Sequence, residues 1–202
     1  MSESLELRMV DPTCLVDFLS VTRSKAIFVA ALLLVALAAV ASASAGRSDP
    51  ARAARSERQL YTLNHQIAAA INTYRRAHGL VPLTVSSDLN ASAKQHSMEM
   101  GAHGYFDHPS ADGTEFWKRI QRYYTATNYP YWTVGENLLW SSPTVSAADA
   151  LRMWINSPEH RRNLRNPAWR DLGVSSVHVL HAGGVYDGYT VTIITTDFGA
   201  RH

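Results

Sequence analysis

Residues 154–164 read WINSPEHRRNL, a stretch that predicts the end of one helix and the start of the next. Ser157 is a natural N-cap, and Pro158 suits the first helical position, where a backbone N–H would have no partner. Glu159 places a negative charge where the helix dipole favours it. His160 falls in the same first turn, so the stretch presents an imidazole on a rigid corner that solvent can reach.

Two other fragments carry side chains that could share a site with His160. Residues 104–108 end in an imidazole, that of His108, and residues 134–138 place Glu136 in an apolar run. A carboxylate in an apolar segment needs a partner, because burying an unpaired charge is costly. Glu136 is therefore predicted to belong to a structural hydrogen-bond network, to serve as a site carboxylate, or to do both.

Composition restricts the class of protein. The chain has 202 residues and a formal net charge of +2, which suits one domain after removal of an N-terminal segment. No basic stripe with interleaved aromatic residues is present, so no nucleic-acid partner is expected. A local arginine cluster is interpreted as a solvated helix face rather than a binding patch; its members are Arg161, Arg162, Arg165 and Arg170.

The N-terminal segment has the order of a secretory signal peptide. Arg23 and Lys25 precede an apolar run over residues 26–41, and the small residues ASASA follow at 41–45. An uncleaved membrane anchor is the alternative, but the run is short for a span, which needs about 20 residues. Residues 1–45 are therefore predicted to be an N-terminal extension and signal peptide. The mature protein is expected to be secreted, without a stable membrane span, or else associated with the cell envelope.

Cysteine usage separates this chain from disulfide-stabilised secreted domains. Cys14 is the only cysteine, and it precedes the apolar run. The domain that follows therefore has no disulfide, no thiolate metal ligand and no cysteine nucleophile. Packing alone must stabilise it.

The remaining chain divides into a linker and one α+β domain. Residues 46–60 are rich in Arg, Ser and Ala without an apolar period and are predicted to be a linker; the domain spans residues 61–202. Helical spacing begins near Leu63, and Ser87, Thr114 and Thr144 are predicted to cap later helices. Strands are predicted over residues 134–140, 172–180 and 189–196. Helices precede antiparallel strands, which is the pattern of an α+β fold.

His96 lies on the apolar face of the predicted second helix, together with Leu89, Ala93 and Met100. An imidazole there could be a metal ligand. A core histidine hydrogen-bonded to the backbone is the more frequent case, and that is the prediction.

Five fragments occur in an order that resembles a known family. They are AKQHSMEM at 93–100, GYFDH at 104–108, GENL at 135–138, WINSPEHR at 154–161 and LGV at 172–174. The ordered set resembles the CAP superfamily, or SCP domain, of secreted cysteine-rich, venom-antigen and plant pathogenesis-related proteins. The resemblance covers about residues 62–199 and is strongest to the bacterial branch that lacks cysteines.

The resemblance implies a three-layer α-β-α sandwich with a central antiparallel sheet and a cleft lined by two histidines and two acidic residues. By motif, His108 and His160 match the histidines, and Glu136 matches one acidic residue. The position of the other acidic residue is occupied by Ser157. Glu159 is near in sequence but does not align, so the resemblance implies three site residues rather than four.

Two imidazoles suit a borderline divalent metal such as Zn²⁺. Catalytic zinc sites usually have three protein ligands, so a site built from His108 and His160 should bind metal weakly. Glu136 is expected to orient one imidazole through its other ring nitrogen. In an enzyme, Glu136 would instead be the catalytic base that activates a metal-bound water.

Three functions remain open from the sequence. The first is a secreted binding module whose cleft holds a divalent metal and a small lipid, glycan or peptide ligand. The second is a metal-assisted, protease-like hydrolase that uses the same histidines and Glu136. The third is a structural or interaction domain without bound metal.

Overall fold

The computed structural model describes residues 50–202, which fold into helices and one sheet. The helices are α1 (Pro50–Ala77), α2 (Ser87–His103), α3 (Phe116–Tyr123), α4 (Ala147–Asn156) and α5 (Pro158–Leu164), with a short 3₁₀ turn at Gly184–Tyr186. The strands are β1 (Thr84–Val85), β2 (Trp132–Ser141), β3 (Asp171–Val179) and β4 (Val191–Arg201). The predicted α+β class is confirmed.

The sheet has the strand order β1-β3-β4-β2. Its three long strands are antiparallel, since β4 pairs in that sense with both β2 and β3. The short β1 pairs in parallel with the start of β3, so the sheet is mixed at this edge. The predicted antiparallel sheet is therefore confirmed for the three long strands.

Both faces of the sheet are covered by helices. Consecutive side chains of a strand point to opposite faces, and Ile193 and Ile194 of β4 show the two layers directly. Ile193 packs in a cluster with Met100 of α2, whereas Ile194 packs with Ile71 of α1 and Trp154 of α4. This arrangement is the predicted three-layer sandwich. Because helices cover both faces of the sheet, the polar residues of β4 are as buried as its apolar residues.

The helix boundaries differ from the predicted ones. Helix α1 begins at Pro50, so residues 50–60 of the predicted 46–60 linker are helical. Alanine and arginine favour helices, and proline is well placed at a helix start. The segment has no apolar period because it is largely exposed. A helical segment of this kind gives no periodic signal in the sequence.

The predicted caps are displaced by one or two residues. Ser86 rather than Ser87 caps α2, accepting from the backbone N–H of Leu89. Ser146 rather than Thr144 caps α4, accepting from the N–H of Asp149 at 3.1 Å. Helix α3 follows Glu115 without a side-chain cap, so the cap predicted at Thr114 is wrong.

No helix within residues 50–202 is long and apolar enough to cross a membrane. The predicted signal peptide, its apolar run and Cys14 lie outside the described residues.

Candidate functional site

Glu136 of β2 is the centre of a buried polar network. Its side chain is inaccessible to solvent, and its Oε1 accepts a hydrogen bond from Nδ1 of His108 at 2.7 Å. Its Oε2 accepts from Nη2 of Arg119 on α3. Both carboxylate oxygens are therefore engaged, which satisfies the need for a partner that the sequence indicated.

Arg119 connects this carboxylate to the loop that carries His108. The fully buried guanidinium donates from Nη1 to the backbone carbonyl of His108 at 3.0 Å and to Oγ of Ser110 at 3.2 Å. It thus offsets the charge of Glu136 and holds the loop against β2. The sequence analysis did not find Arg119, although a carboxylate in an apolar strand indicates that some cation must lie beside it.

His96 is a core residue, as predicted. It is fully buried, and its Nε2 donates to the backbone carbonyl of Asp107 at 2.9 Å. The same nitrogen lies 4.0 Å from Oε1 of Glu136. Burial lowers the pKa of His96, so the ring is held neutral beneath the loop that carries His108.

A second carboxyl group lies opposite Glu136 in the sheet. Asp197 of β4 is its cross-strand partner and is fully buried. Within residues 50–202, neither carboxyl oxygen of Asp197 makes a hydrogen bond of standard geometry, although the Ser92 hydroxyl and the Glu136 carboxylate lie beside it. Burial, followed by the negative charge of Glu136, raises the pKa of Asp197 well above its usual range. The folded protein therefore favours the uncharged form of Asp197, a property that its sequence position did not indicate.

His160 is held from the other face of β2. Nδ2 of Asn137 donates to the backbone carbonyl of His160 at 3.1 Å. Nδ2 of Asn163 donates to the carbonyl of Glu136 at 3.0 Å, so α5 is fastened to the strand at two points. At Gly135 an added Cβ would lie 2.8 Å from Oδ1 of Asn163, which explains why glycine precedes Glu136. The sequence analysis assigned no role to Asn137.

Helix α5 begins as predicted, with Pro158 at its first position and Ser157 as its extended N-cap residue. The Ser157 side chain, however, makes no capping hydrogen bond, so that part of the prediction is wrong. Proline lacks an N–H and thus reduces the number of donors that a cap must satisfy. Glu159 is exposed in the first turn.

One cavity of about 930 Å³ brings the three predicted site residues together. His108, Glu136 and His160 line it, along with Phe116 and Asn137. Helix α5 and the residue after it add Glu159 and three members of the arginine cluster, namely Arg161, Arg162 and Arg165. Ser157 is not among the lining residues.

The two histidines have opposite electrostatic environments. The hydrogen bond that His108 donates to Glu136 raises the pKa of His108. Burial, and then the charge of His108, lower the pKa of His160. His160 therefore keeps the neutral form that binds metals down to lower pH, while His108 retains its proton to higher pH than an ordinary histidine.

The ligands available to a metal are these two imidazoles. Nδ1 of His108 is bonded to Glu136, which leaves Nε2 for a metal. Each carboxylate oxygen of Glu136 already accepts a hydrogen bond, and its side chain is inaccessible to solvent. Across residues 50–202, no group of three or more His, Cys, Asp or Glu side chains is arranged to hold a metal ion. The donor set fits a weak site with two protein ligands.

Comparison with known proteins gives relatives of similar fold. The uncharacterised protein YkwD of Bacillus subtilis is 29% identical over 140 residues, which are 69% of this chain and 51% of that protein. The chain thus spans about half the length of this curated relative.

Two solved structures superpose on the chain. An extracellular protein containing an SCP domain from Bacillus anthracis has a TM-score of 0.58 at 28% identity, covering 75% of this chain and 44% of its own. An outer surface protein of Borrelia burgdorferi has a TM-score of 0.52 at 21% identity, covering 67% of this chain and 90% of its own. The second likeness concerns the fold alone.

The family model described as CAP, the cysteine-rich secretory protein family, matches residues 68–192. That match covers more than half of the chain and includes both site histidines and Glu136. The chain belongs to the CAP family.

Proposed function

We propose that the protein is a secreted binding module whose cleft holds a divalent metal weakly, through His108 and His160, together with a small lipid, glycan or peptide ligand. The observation that carries the proposal is the hydrogen bond of 2.7 Å between His108 Nδ1 and Glu136 Oε1. A carboxylate on one imidazole nitrogen orients the other nitrogen toward a metal and raises its basicity.

The choice of metal follows from the donors. Imidazole nitrogen suits Zn²⁺ and similar borderline ions. Two protein ligands leave coordination positions open, so a bound Zn²⁺ would supply a Lewis-acidic centre that a ligand group can reach. The residues His108 and His160 would hold the ion, and Glu136 would orient His108.

The engagement of Glu136 supports binding over metal-assisted hydrolysis. A general base must lie within reach of the water that it deprotonates. The Glu136 side chain is inaccessible to solvent, and each of its oxygens already accepts a hydrogen bond, from His108 and Arg119 respectively. The cavity of about 930 Å³ falls in the size range of small-molecule sites, which supports a ligand over a purely structural role.

Secretion is supported by the sequence and by a relative. Residues 1–45 have the order of a signal peptide. The Bacillus anthracis structure with an SCP domain is described as an extracellular protein. Association with the cell envelope is the alternative location for the same module.

Calorimetric Zn²⁺ titration of the purified protein tests the metal site. We expect saturable binding that His160→Ala largely removes, because one imidazole cannot hold the ion. His108→Ala should have the same effect. A wild-type protein that binds no Zn²⁺, or a His160→Ala variant with undiminished affinity, would overturn the proposed site.

A further inference from the structure

We infer that the ligand of the cleft carries an anionic oxygen group, a carboxylate, phosphate or sulfate, which Arg162 and Arg165 bind beside the two histidines. This inference rests on the proposal that the cleft is the binding site of the protein. It adds the chemical class of the ligand, which neither the family nor the donor set of the metal specifies.

The first observation concerns free cations in the cavity wall. Among residues 50–202, the guanidinium groups of Arg162 and Arg165 make no hydrogen bond or ion pair with protein groups. Both side chains are exposed and line the cavity. Arg161, by contrast, donates from Nη1 to the carbonyl of Ile155 at 2.8 Å, which ties its side chain to the end of α4. Two guanidinium groups thus remain available to a ligand.

The second observation concerns the acidic residues of the same wall. Glu136 and Glu159 are the acidic residues that line the cavity. The charge of Glu136 is offset from behind by Arg119, with which it forms an ion pair inaccessible to solvent. Glu159 is then the acidic residue left to balance the charges of Arg161, Arg162 and Arg165. The wall therefore has an excess of positive charge. An anionic ligand group would therefore meet attraction at this wall.

The geometry of guanidinium groups suits oxygen anions in particular. Arginine presents a planar set of donors that matches carboxylate and phosphate in a bidentate manner. Asn166 adds an amide to the same wall, and its Oδ1 accepts from the N–H of Ala168 at 2.9 Å. That bond leaves the Nδ2 hydrogens as donors. Phe116 supplies an apolar surface for the uncharged part of a ligand.

The fourth arginine of the cluster, Arg170, differs from Arg162 and Arg165 because its guanidinium is bonded to the backbone. Nη1 of Arg170 donates to the backbone carbonyls of Pro167, Ala168 and Trp169, and this side chain does not line the cavity. Arg162, Arg165 and Arg170 are exposed, as the predicted solvated face requires, and the inference adds a binding role for Arg162 and Arg165.

The test uses metal-free protein and simple anions. Inorganic phosphate, inorganic sulfate and acetate are titrated separately, and binding is followed by NMR shifts of backbone and arginine side-chain N–H groups. We expect saturable shifts at Arg162, Arg165 and Asn166, and the strongest of the three anions identifies the acidic group. Glucose, which is uncharged, should give no such shifts.

Two double variants distinguish binding by the cavity arginines from a general effect of the positive charge of the protein. Arg162→Gln with Arg165→Gln should weaken binding of the preferred anion at least tenfold. Arg122→Gln with Arg152→Gln removes the same charge from exposed positions outside the cavity and should weaken it less than twofold. Equal losses in both variants, or the absence of saturable shifts in the wild type, would overturn the inference.

Zn²⁺ titration of the same variants distinguishes this inference from the proposed metal site. The Arg162→Gln and Arg165→Gln variant should keep its Zn²⁺ affinity, since neither residue is a metal ligand. Zn²⁺ binding without any anion binding would overturn the inference and leave the metal site in place. Anion binding without Zn²⁺ binding would support the inference and overturn the metal site.

Discussion

Glu136 and Asn137 are consecutive residues of β2, and each holds the segment that carries one histidine of the cleft. Oε1 of Glu136 bonds to Nδ1 of His108 at 2.7 Å, while Nδ2 of Asn137 donates to the carbonyl of His160 at 3.1 Å. Side chains of successive strand residues point to opposite faces. One dipeptide can therefore fix the loop with His108 on one face of the sheet and α5 on the other.

Replacing Glu136 by glutamine should weaken Zn²⁺ binding about 10–100-fold, because the variant keeps the shape but loses the charge that orients His108. The change also leaves Arg119 buried without a counterion. We expect it to lower the free energy of unfolding by about 3–5 kcal/mol. Calorimetry gives the affinity, and circular dichroism verifies that the variant is folded before titration.

Glu159→Gln is the matched control for that experiment. It changes the other carboxylate of the cavity wall, which is exposed in the first turn of α5. The variant should lose only a few tenths of a kcal/mol of helix stability, about the lower limit of a dipole interaction. Its Zn²⁺ affinity should be nearly unchanged. If Glu159→Gln abolished binding and Glu136→Gln did not, the assignment of the carboxylate would be wrong.

Gly135→Ala should displace α5 from β2. An added Cβ would lie 2.8 Å from both Oδ1 of Asn163 and Cζ2 of Trp169, which is too close for a carbon atom. We expect the free energy of unfolding to fall by about 1–3 kcal/mol, as is usual when a packed site is overfilled. Urea unfolding measures the loss. Gly183→Ala is the control, since no atom lies within 4 Å of its added Cβ, and it should change stability by less than about 0.5 kcal/mol.

The mature protein should appear in the culture medium without its N-terminal segment. The motif Ala43-Ser44-Ala45 predicts a form that starts at or near Gly46. That form lacks Cys14, so it should contain no thiol and no disulfide. Mass spectrometry of the medium gives the start residue, and finding only the full-length chain in the membrane fraction would contradict cleavage.

The parts of the site that the sequence predicted are those encoded in local motifs. His108, Glu136 and His160 each stand in a short fragment with its own turn or cap signals, and all three line one cavity. The strands were also predicted to within a few residues at most ends, because apolar runs and turn residues are local signals. The caps predicted at Ser87 and Thr144 are displaced to Ser86 and Ser146, since neighbouring Ser and Thr residues compete for the same position.

The parts that the sequence did not reveal depend on contacts distant along the chain. Arg119 reaches Glu136 only because α3 packs against β2, and Asp197 faces Glu136 only through the register of β2 with β4. Asn137 acquires its role when α5 docks on the strand. No local spacing encodes these relationships, because they follow from tertiary packing.

Asp197→Asn should stabilise the protein increasingly as the pH rises from about 4 to 7. Burial and the charge of Glu136 raise the pKa of Asp197 in the folded state, while an unfolded aspartate titrates near about 3.9. Above that value the unfolded chain releases a proton that the folded chain retains, so the wild type loses stability with rising pH. Asparagine does not titrate and avoids this loss.

The measurement is the difference in free energy of unfolding between Asp197→Asn and the wild type, obtained by urea unfolding at both pH values. Any pH-independent effect of the new amide cancels when the two differences are compared. The unfolding equilibrium constant of the wild type, divided by that of Asp197→Asn, should grow by up to about tenfold for each pH unit. A difference that stays constant or shrinks toward pH 7 would mean that Asp197 is ionised in the folded protein, and Arg119 would then have two carboxylates to neutralise.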